Sequence, residues 1–402
     1  MIKSDKITNL IRKIQSEAGD DREKKTSITA AVIFVVLLIV VFTSNLFIAD
    51  KKFSPSENRM LQELPAFSLS DYLEGRYEKK FENYTNDQFL LRGGWIKLKS
   101  ATDITAGKLE ANGVYRSRNG YLIEELSVPD SKQLKATEKA LKEFRTKHSN
   151  LPMTFLLAPN AGNIMKEKLP ISVHFTDQNP YMDNFYGELK KSGFKTVDVR
   201  KSFQKQKKKV QLYYRTDHHW TTDGAYLAYQ QLIPQLGMGK ALDCKPYAVK
   251  KDFAGTLYSK SGFTGGRYDS INIYEPRDKK QYKDSVIYYG DTKEKTTEFY
   301  QLDNLNKKDA YTVFGGNNHP MYTVQTPTKS DERLLLFKDS YANSIIPLLA
   351  QHFREIVVVD PRYYFDDIED LIEVEGITQV LFLYNANTFF TDDSLEMILT
   401  GE

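Results

Sequence analysis

An α/β fold, with a parallel sheet flanked by helices, is predicted by three features of the chain. Short apolar runs (TFLLAP at 154–159, LLLFK at 334–338, IVVV at 356–359 and VLFLYN at 380–385) end in polar residues, where a parallel sheet places its site. Amphipathic helical patterns lie between such runs, as in 131–148 with Leu134, Ala140, Leu141 and Phe144 on one face. Ahead of all of these, an uncharged N-terminal run predicts one transmembrane helix.

That run is Ser27–Ala49, which reaches the ~20 residues needed to cross the hydrocarbon layer. Lys3, Lys6, Arg12, Lys13, Arg22, Lys24 and Lys25 precede it, whereas only Lys51 and Lys52 follow closely. The positive-inside rule therefore puts residues 1–26 in the cytoplasm and everything after about residue 50 outside, anchored to the cell membrane by 27–49. A cleaved signal peptide is the alternative, but the run is long for an h-region and no A-x-A site follows it. The net charge of +3 is the small difference between 56 basic and 53 acidic residues, which argues against a nucleic-acid partner. Cys244, the one cysteine, excludes an internal disulfide and any multi-thiolate metal site, and nothing in ALDCKPY supplies it with a base.

Residues 50–110 are charged, aromatic and helix-like, and are expected to form a membrane-proximal connector. The main domain, 111–402, starts with Asn-Gly pairs at 112–113 and 119–120 beside β-branched or aromatic residues, a signal for hairpin turns. The amphipathic helix, TFLLAP, a second strand in FKTVDVR and a helix in TTDGAYLAYQQLIPQL follow, with Thr221 or Thr222 as N-cap. Residues 245–330 break this rhythm with short alternating runs rich in Tyr, Lys, Asp and Gly. They read as a β-rich insertion that forms a substrate wall or covers a sheet edge.

Two stretches carry the chemistry. In LLLFKDSYANS a buried strand runs into a turn bearing Ser340, which places the hydroxyl near helix-terminal N–H groups. Taken alone, such a serine is more often an N-cap. In YYRTDHHWTTDGAY, Asp217 and His219 are two apart, so in an extended chain their side chains share a face. Asp217 would then fix the tautomer of His219 and leave its other nitrogen to take a proton from Ser340. A metal reading uses Asp217, His218 and His219, but adjacent histidines usually point apart, and only His174 and His319 are spare imidazoles with loop-like surroundings; no metal or other cofactor is expected.

DHHWTTDGAYLAY resembles the signature of bacterial DHHW proteins, which are similar to the SGNH-hydrolase-like domains of the alginate O-acetyltransferases AlgJ and AlgX. SENRMLQELP and ENYTNDQFLLRGGWIKLK resemble the N-terminal part of the same group, so the likeness runs from about residue 53. The resemblance implies that Asp217, His219 and Ser340 occupy triad positions in an SGNH-like sheet. The order of the blocks implies that this sheet is circularly permuted, because the acid–histidine block precedes the serine strand. Lys338 stands where the G-D-S turn has glycine, and YNAN is an imperfect match to G-x-N-D, leaving Asn385 or Asn387 as the oxyanion donor beside the Ser340 N–H. His218 and Trp220 are expected near the substrate, though Trp220 also suits packing beneath the site. The implied function is O-acyl transfer, of acetyl type, to a cell-surface polysaccharide, with a membrane-bound O-acyltransferase as a partner that supplies acyl groups. An esterase with the same triad and a non-catalytic polysaccharide-binding or assembly protein are the alternatives.

Overall fold

The computed structural model describes residues 3–47, 49–54, 59–73, 75–263, 267–276 and 284–401. Ile48 of the apolar run, 55–58 and Glu74 of the connector, and 264–266 and 277–283 of the insertion lie outside them. The chain divides into two compact units, 1–54 with 59–95, and 55–58 with 96–402; the boundary falls inside the helix Arg92–Thr105.

In the first unit one helix runs from Lys3 to Phe47, so the charged leader and the apolar run form a single element instead of a helix beginning near Ser27. Its stretch Lys24–Asn45, with mean hydropathy 2.7, is long and apolar enough to cross a membrane. A second helix, Arg76–Gln88, ends at Gln88, whose side-chain amide donates to Lys51 O at 3.0 Å and Gln62 O at 2.9 Å.

The second unit holds an eight-stranded mixed sheet. Its strands are β1 (Met153–Ala158), β2 (Lys195–Val197), β3 (Val286–Tyr289), β4 (Lys295–Thr296), β5 (Met321–Gln325), β6 (Arg333–Lys338), β7 (Glu355–Val359) and β8 (Gln379–Asn385). They lie in the order β4-β3-β5-β7-β6-β8-β1-β2. Pairing is parallel from β7 through β6, β8 and β1 to β2, and antiparallel from β7 outward to β5, β3 and β4. Numbered from β6, the parallel part reads 2-1-3-4-5, the doubly wound order, and the chain enters it at the fourth strand. This is an SGNH-like sheet, circularly permuted.

The apolar runs are continuous because both faces of the sheet are covered. Leu334 and Leu336 pack on one side with Trp220, Ala225, Tyr229 and Leu232 around the helix Thr222–Gln235. Leu335 and Phe337 pack on the other with Phe144 of the helix Ser131–Lys147 and Phe185 of the helix Asn179–Lys191. Asn112–Gly113 and Asn119–Gly120 all adopt positive φ in turns of a small sheet, Glu110–Ala111, Val114–Arg116 and Leu122–Glu124, where Gly and Asn tolerate the left-handed region.

Of the two readings of the insertion, the structure bears on the covered sheet edge. β3, β4 and β5 extend the sheet beyond β7, so β7 has no free edge. Its helix Thr256–Ser261 and its 3-10 turn Ala310–Val313 bring Thr256 and Tyr311 to the histidine loop.

Candidate active site

Ser340 follows β6 directly. That strand's neighbours are β7, next in sequence, on one side and β8 on the other, so the serine stands at the carboxyl end of the sheet at its switch point. Asp339 fixes the turn: Oδ1 accepts from Tyr341 N at 2.9 Å, and Oδ2 accepts from Asn385 N at 2.7 Å and Asn385 Nδ2 at 2.6 Å. Burial pushes the Asp339 carboxyl up to about 6, against the Arg362 charge and these N–H groups. Lys338, the departure from a glycine turn, is buried, with Nζ 3.2 Å from Asp360 Oδ2 at the end of β7; Arg362 pairs with the same oxygen at 2.7 Å. The lysine thus neutralises a buried carboxylate rather than facing the Ser340 hydroxyl.

The histidine arrives on a tight loop, not on the extended chain that the sequence suggested. Tyr213 and Trp220 close the loop as an antiparallel bridge, and Asp217 Oδ1 accepts from the backbone N–H of His219 at 2.9 Å, an Asx turn. The same oxygen meets His219 Nδ1 at 2.6 Å, so the turn that bends the backbone also aligns the ring. Asp217 Oδ2 accepts from Thr256 N at 2.8 Å and Thr256 Oγ1 at 3.0 Å. A methyl group on Gly255 would overlap the Asp217 carboxylate, so only glycine lets this segment approach so closely. Behind the loop, Asp269 accepts from Arg215 N at 2.6 Å and Thr216 N at 3.2 Å.

His219 Nε2 stands 2.8 Å from Ser340 Oγ. A carboxylate only accepts, so Nδ1 carries the ring proton, Nε2 is the acceptor and the serine hydroxyl donates. Burial tends to raise the Asp217 carboxyl, but the His219 and His218 charges and the bonds from His219 and Thr256 outweigh it and hold it well below the usual range. Burial lowers His219 to about 4, with the His218 charge acting the same way and Asp217 opposing. Tyr311 stacks on the imidazole, with ring centroids 3.7 Å apart and planes at 10°, covering one face from solvent.

His218 is partly exposed, and its Nδ1 lies 2.7 Å from Thr256 Oγ1. The Thr256 hydroxyl proton goes to Asp217 Oδ2, so Thr256 Oγ1 accepts from His218 Nδ1, and His218 Nε2 has no hydrogen-bond partner among the described residues. Trp220, expected near the substrate, is fully buried and donates from Nε1 to Tyr341 O at 3.0 Å and Ser344 Oγ at 3.1 Å. It ties the histidine loop to the serine turn from below and has no face open to a sugar.

The two asparagines considered for the oxyanion have other partners. Asn385 Nδ2 donates to Asp339 Oδ2 and, at 2.8 Å, to Thr388 Oγ1. Asn387 donates to Glu125 O at 2.9 Å and accepts from Ser127 N and Gln178 Nε2. Both Nδ2 protons of Asn385 are thus engaged, whereas one Nδ2 proton of Asn387 is. The N–H of Ser340 opens the turn, where such groups lack an intrahelical acceptor.

Ligand atoms of Asp217, His218 and His219 lie within 4.8 Å of one another. Both Asp217 oxygens and both His219 nitrogens are already engaged with protein groups, so a metal there would displace the contacts just described. His319 pairs with Asp291 at 2.9 Å, away from this set. Gly255, Thr256, Tyr311 and Asp309 come from the insertion, and one sequence holds no spacing signal that links them to a loop some 40 to 90 residues earlier.

Residues 121–263 match the family model of the SGNH hydrolase-like domain, acetyltransferase AlgX. A DHHW family protein from Eubacterium siraeum is similar in fold, with TM-score 0.61 and 22% identity over 73% of this chain and 96% of that one. Bacillus cereus PatB1 is also similar, at TM-score 0.60 and 22% identity over 70% of this chain and 98% of that one. PatB1 has also been solved with a sulfonyl adduct, at TM-score 0.57 and 21% identity over 70% of this chain and 96% of that one. No curated protein matches the chain in sequence.

Proposed function

We propose that the chain is a membrane-anchored O-acyltransferase, of acetyl type, acting outside the cytoplasm on a cell-surface polysaccharide. The observation that carries this is the unbroken line Asp217–His219–Ser340, 2.6 and 2.8 Å long, at the switch point of a parallel sheet. The match of 121–263 to an acetyltransferase domain supports acyl transfer over other uses of a serine triad.

Ser340 Oγ attacks the acyl carbonyl carbon as its proton passes to His219 Nε2. The imidazolium so formed is held by the Asp217 carboxylate, the Ser340 N–H donates to the carbonyl oxygen, and the leaving group takes the proton from His219. An acyl-Ser340 ester remains. An acceptor hydroxyl then gives its proton to His219 Nε2, bonds to the acyl carbon and releases Ser340, which regains the proton. An esterase differs only in that water takes the acceptor's place. A membrane-bound O-acyltransferase is the partner that would deliver acyl groups to an enzyme anchored beside it.

A sulfonyl fluoride should modify Ser340 and stop hydrolysis of a chromogenic acetyl ester, and a chelator should leave that hydrolysis unchanged. The sulfonyl adduct carried by PatB1 makes this the natural probe. Loss of activity to the chelator with recovery on added zinc would reverse the assignment.

The pH profile follows from His219. A base lowered to about 4 is unprotonated throughout neutral and mildly acid pH, so the acid limb of kcat/KM should lie well below the 6.5 of a free imidazole and fall away near 4. A limb centred at 6.5 would mean that the ring is more hydrated than this packing implies.

The charge bias around Lys24–Asn45 sets the orientation: protease added to intact protoplasts should digest the chain beyond residue 50 and spare the N-terminal segment. Protection of the large unit would contradict it.

A further inference from the structure

Two polar groups beside the Asp217–His219–Ser340 line take no part in the steps above. Asp309 is the first. It immediately precedes the 3-10 turn whose Tyr311 ring lies on His219, and its backbone carbonyl accepts from Thr312 Oγ1 at 2.5 Å and Thr312 N at 3.3 Å, which holds it in place. Its Oδ1 is buried and has no hydrogen-bond partner among the described residues. The second is Nε2 of His218, whose ring centre is 3.9 Å from that of His219.

Buried acceptors without donors are rare in folded proteins, and such a group beside reacting atoms is a candidate for binding a ligand. Burial and the Asp217 charge push the Asp309 carboxyl up to about 6, with His218 and the Tyr311 N–H acting the other way, so it is ionised at neutral pH and can only accept. Among the described residues the Asp309 oxygen lacks a donor and His218 Nε2 lacks a partner. Neighbouring hydroxyls of a sugar ring can meet both; an acyl group and a simple alcohol cannot.

We propose that Asp309 binds the acyl acceptor: its carboxylate takes a hydroxyl adjacent to the one being acylated, with His218 Nε2 bonding a second hydroxyl of the same ring. The proposal rests on the acyl-transfer reading and names the acceptor side of that site. The reacting hydroxyl still loses its proton to His219 as its oxygen bonds to the acyl carbon and the bond to Ser340 Oγ breaks. Asp309 gains and loses no proton; it positions the ring. The insertion would thereby decide whether sugar or water resolves the acyl-enzyme, since it supplies Asp309 and Thr256, which holds the His218 ring.

The test uses the full chain in detergent, acylated with p-nitrophenyl acetate, first alone and then with methyl β-glucoside or ethanol added; the product read is the share of acetyl reaching each acceptor rather than water. Wild type should favour the glucoside over ethanol. Asp309→Ala should lower the glucoside share by about tenfold or more, the loss expected for a hydrogen bond to a charged group, with the ethanol share holding. Asp309→Asn, which keeps one oxygen acceptor and the same shape, should fall between and guards against a folding artefact. No preference for the glucoside in wild type, or equal changes with both acceptors, would overturn the proposal. Absence of acyl-Ser340 in wild type before any acceptor is added would overturn the acyl-transfer reading itself.

Discussion

Ser340→Ala and His219→Ala are each expected to lower kcat for acyl transfer by roughly a million-fold, the scale seen when one member of a serine–histidine unit is removed. The reasoning is local. In the proposed mechanism Ser340 Oγ forms the covalent bond, and His219 Nε2, 2.8 Å away, is the base in contact with it. Each variant should remain folded, because Ser340 is partly exposed at a turn held by Asp339, and His219 is shaped by backbone bonds at Tyr214 and Asp217 that survive truncation. Steady-state kinetics with an acetyl ester, with circular dichroism as the check on folding, measures both; a well-folded Ser340→Ala protein with wild-type transfer would remove the serine from the mechanism.

Asp217→Asn comes next, with a loss of about ten-thousand-fold in kcat by analogy with other triads. Here the structure gives a specific reason. The carboxylate faces four donors, the N–H and Nδ1–H of His219 and the N–H and hydroxyl of Thr256. An amide has one acceptor oxygen, so its NH2 group must meet two of those donors. If it turns to His219, the ring adopts the other tautomer and Nε2 carries a proton that cannot accept one from Ser340. If it turns to Thr256, the threonine hydroxyl must rotate, and the proton on His218 loses its fixed place. Near-normal kcat in this variant would show that His219 is oriented by Tyr311 stacking alone.

Much of the fold was legible. β1, β6, β7 and β8 stand out because strands buried on both faces must be apolar throughout, and the two Asn-Gly turns because positive φ restricts residue choice. The pairing of Asp217 with His219 was legible as a spacing, but its cause was not: an Asx turn and an extended chain both bring residues two apart together, and only the Tyr213–Trp220 bridge distinguishes them. Trp220 suits packing beneath the site better than stacking on sugar from its sequence context, and its buried indole N–H bonds Tyr341 O. Asn385 fits an oxyanion motif by position at the end of β8, yet its amide holds Asp339. The contribution of Thr256, Asp309 and Tyr311 depends on long-range packing of the insertion, for which neither periodicity nor spacing gives a local sign.

The central claim is a covalent acyl-serine at residue 340. Its most direct test is mass spectrometry of the intact chain, quenched in acid after brief mixing with an activated acetyl ester without acceptor, followed by peptide mapping. The account predicts one added acetyl group on the peptide bearing Ser340, lost when a sugar acceptor is supplied and absent from Ser340→Ala. An unmodified Ser340 peptide in a chain that turns over, or acetyl found on His218 or a lysine instead, would contradict it.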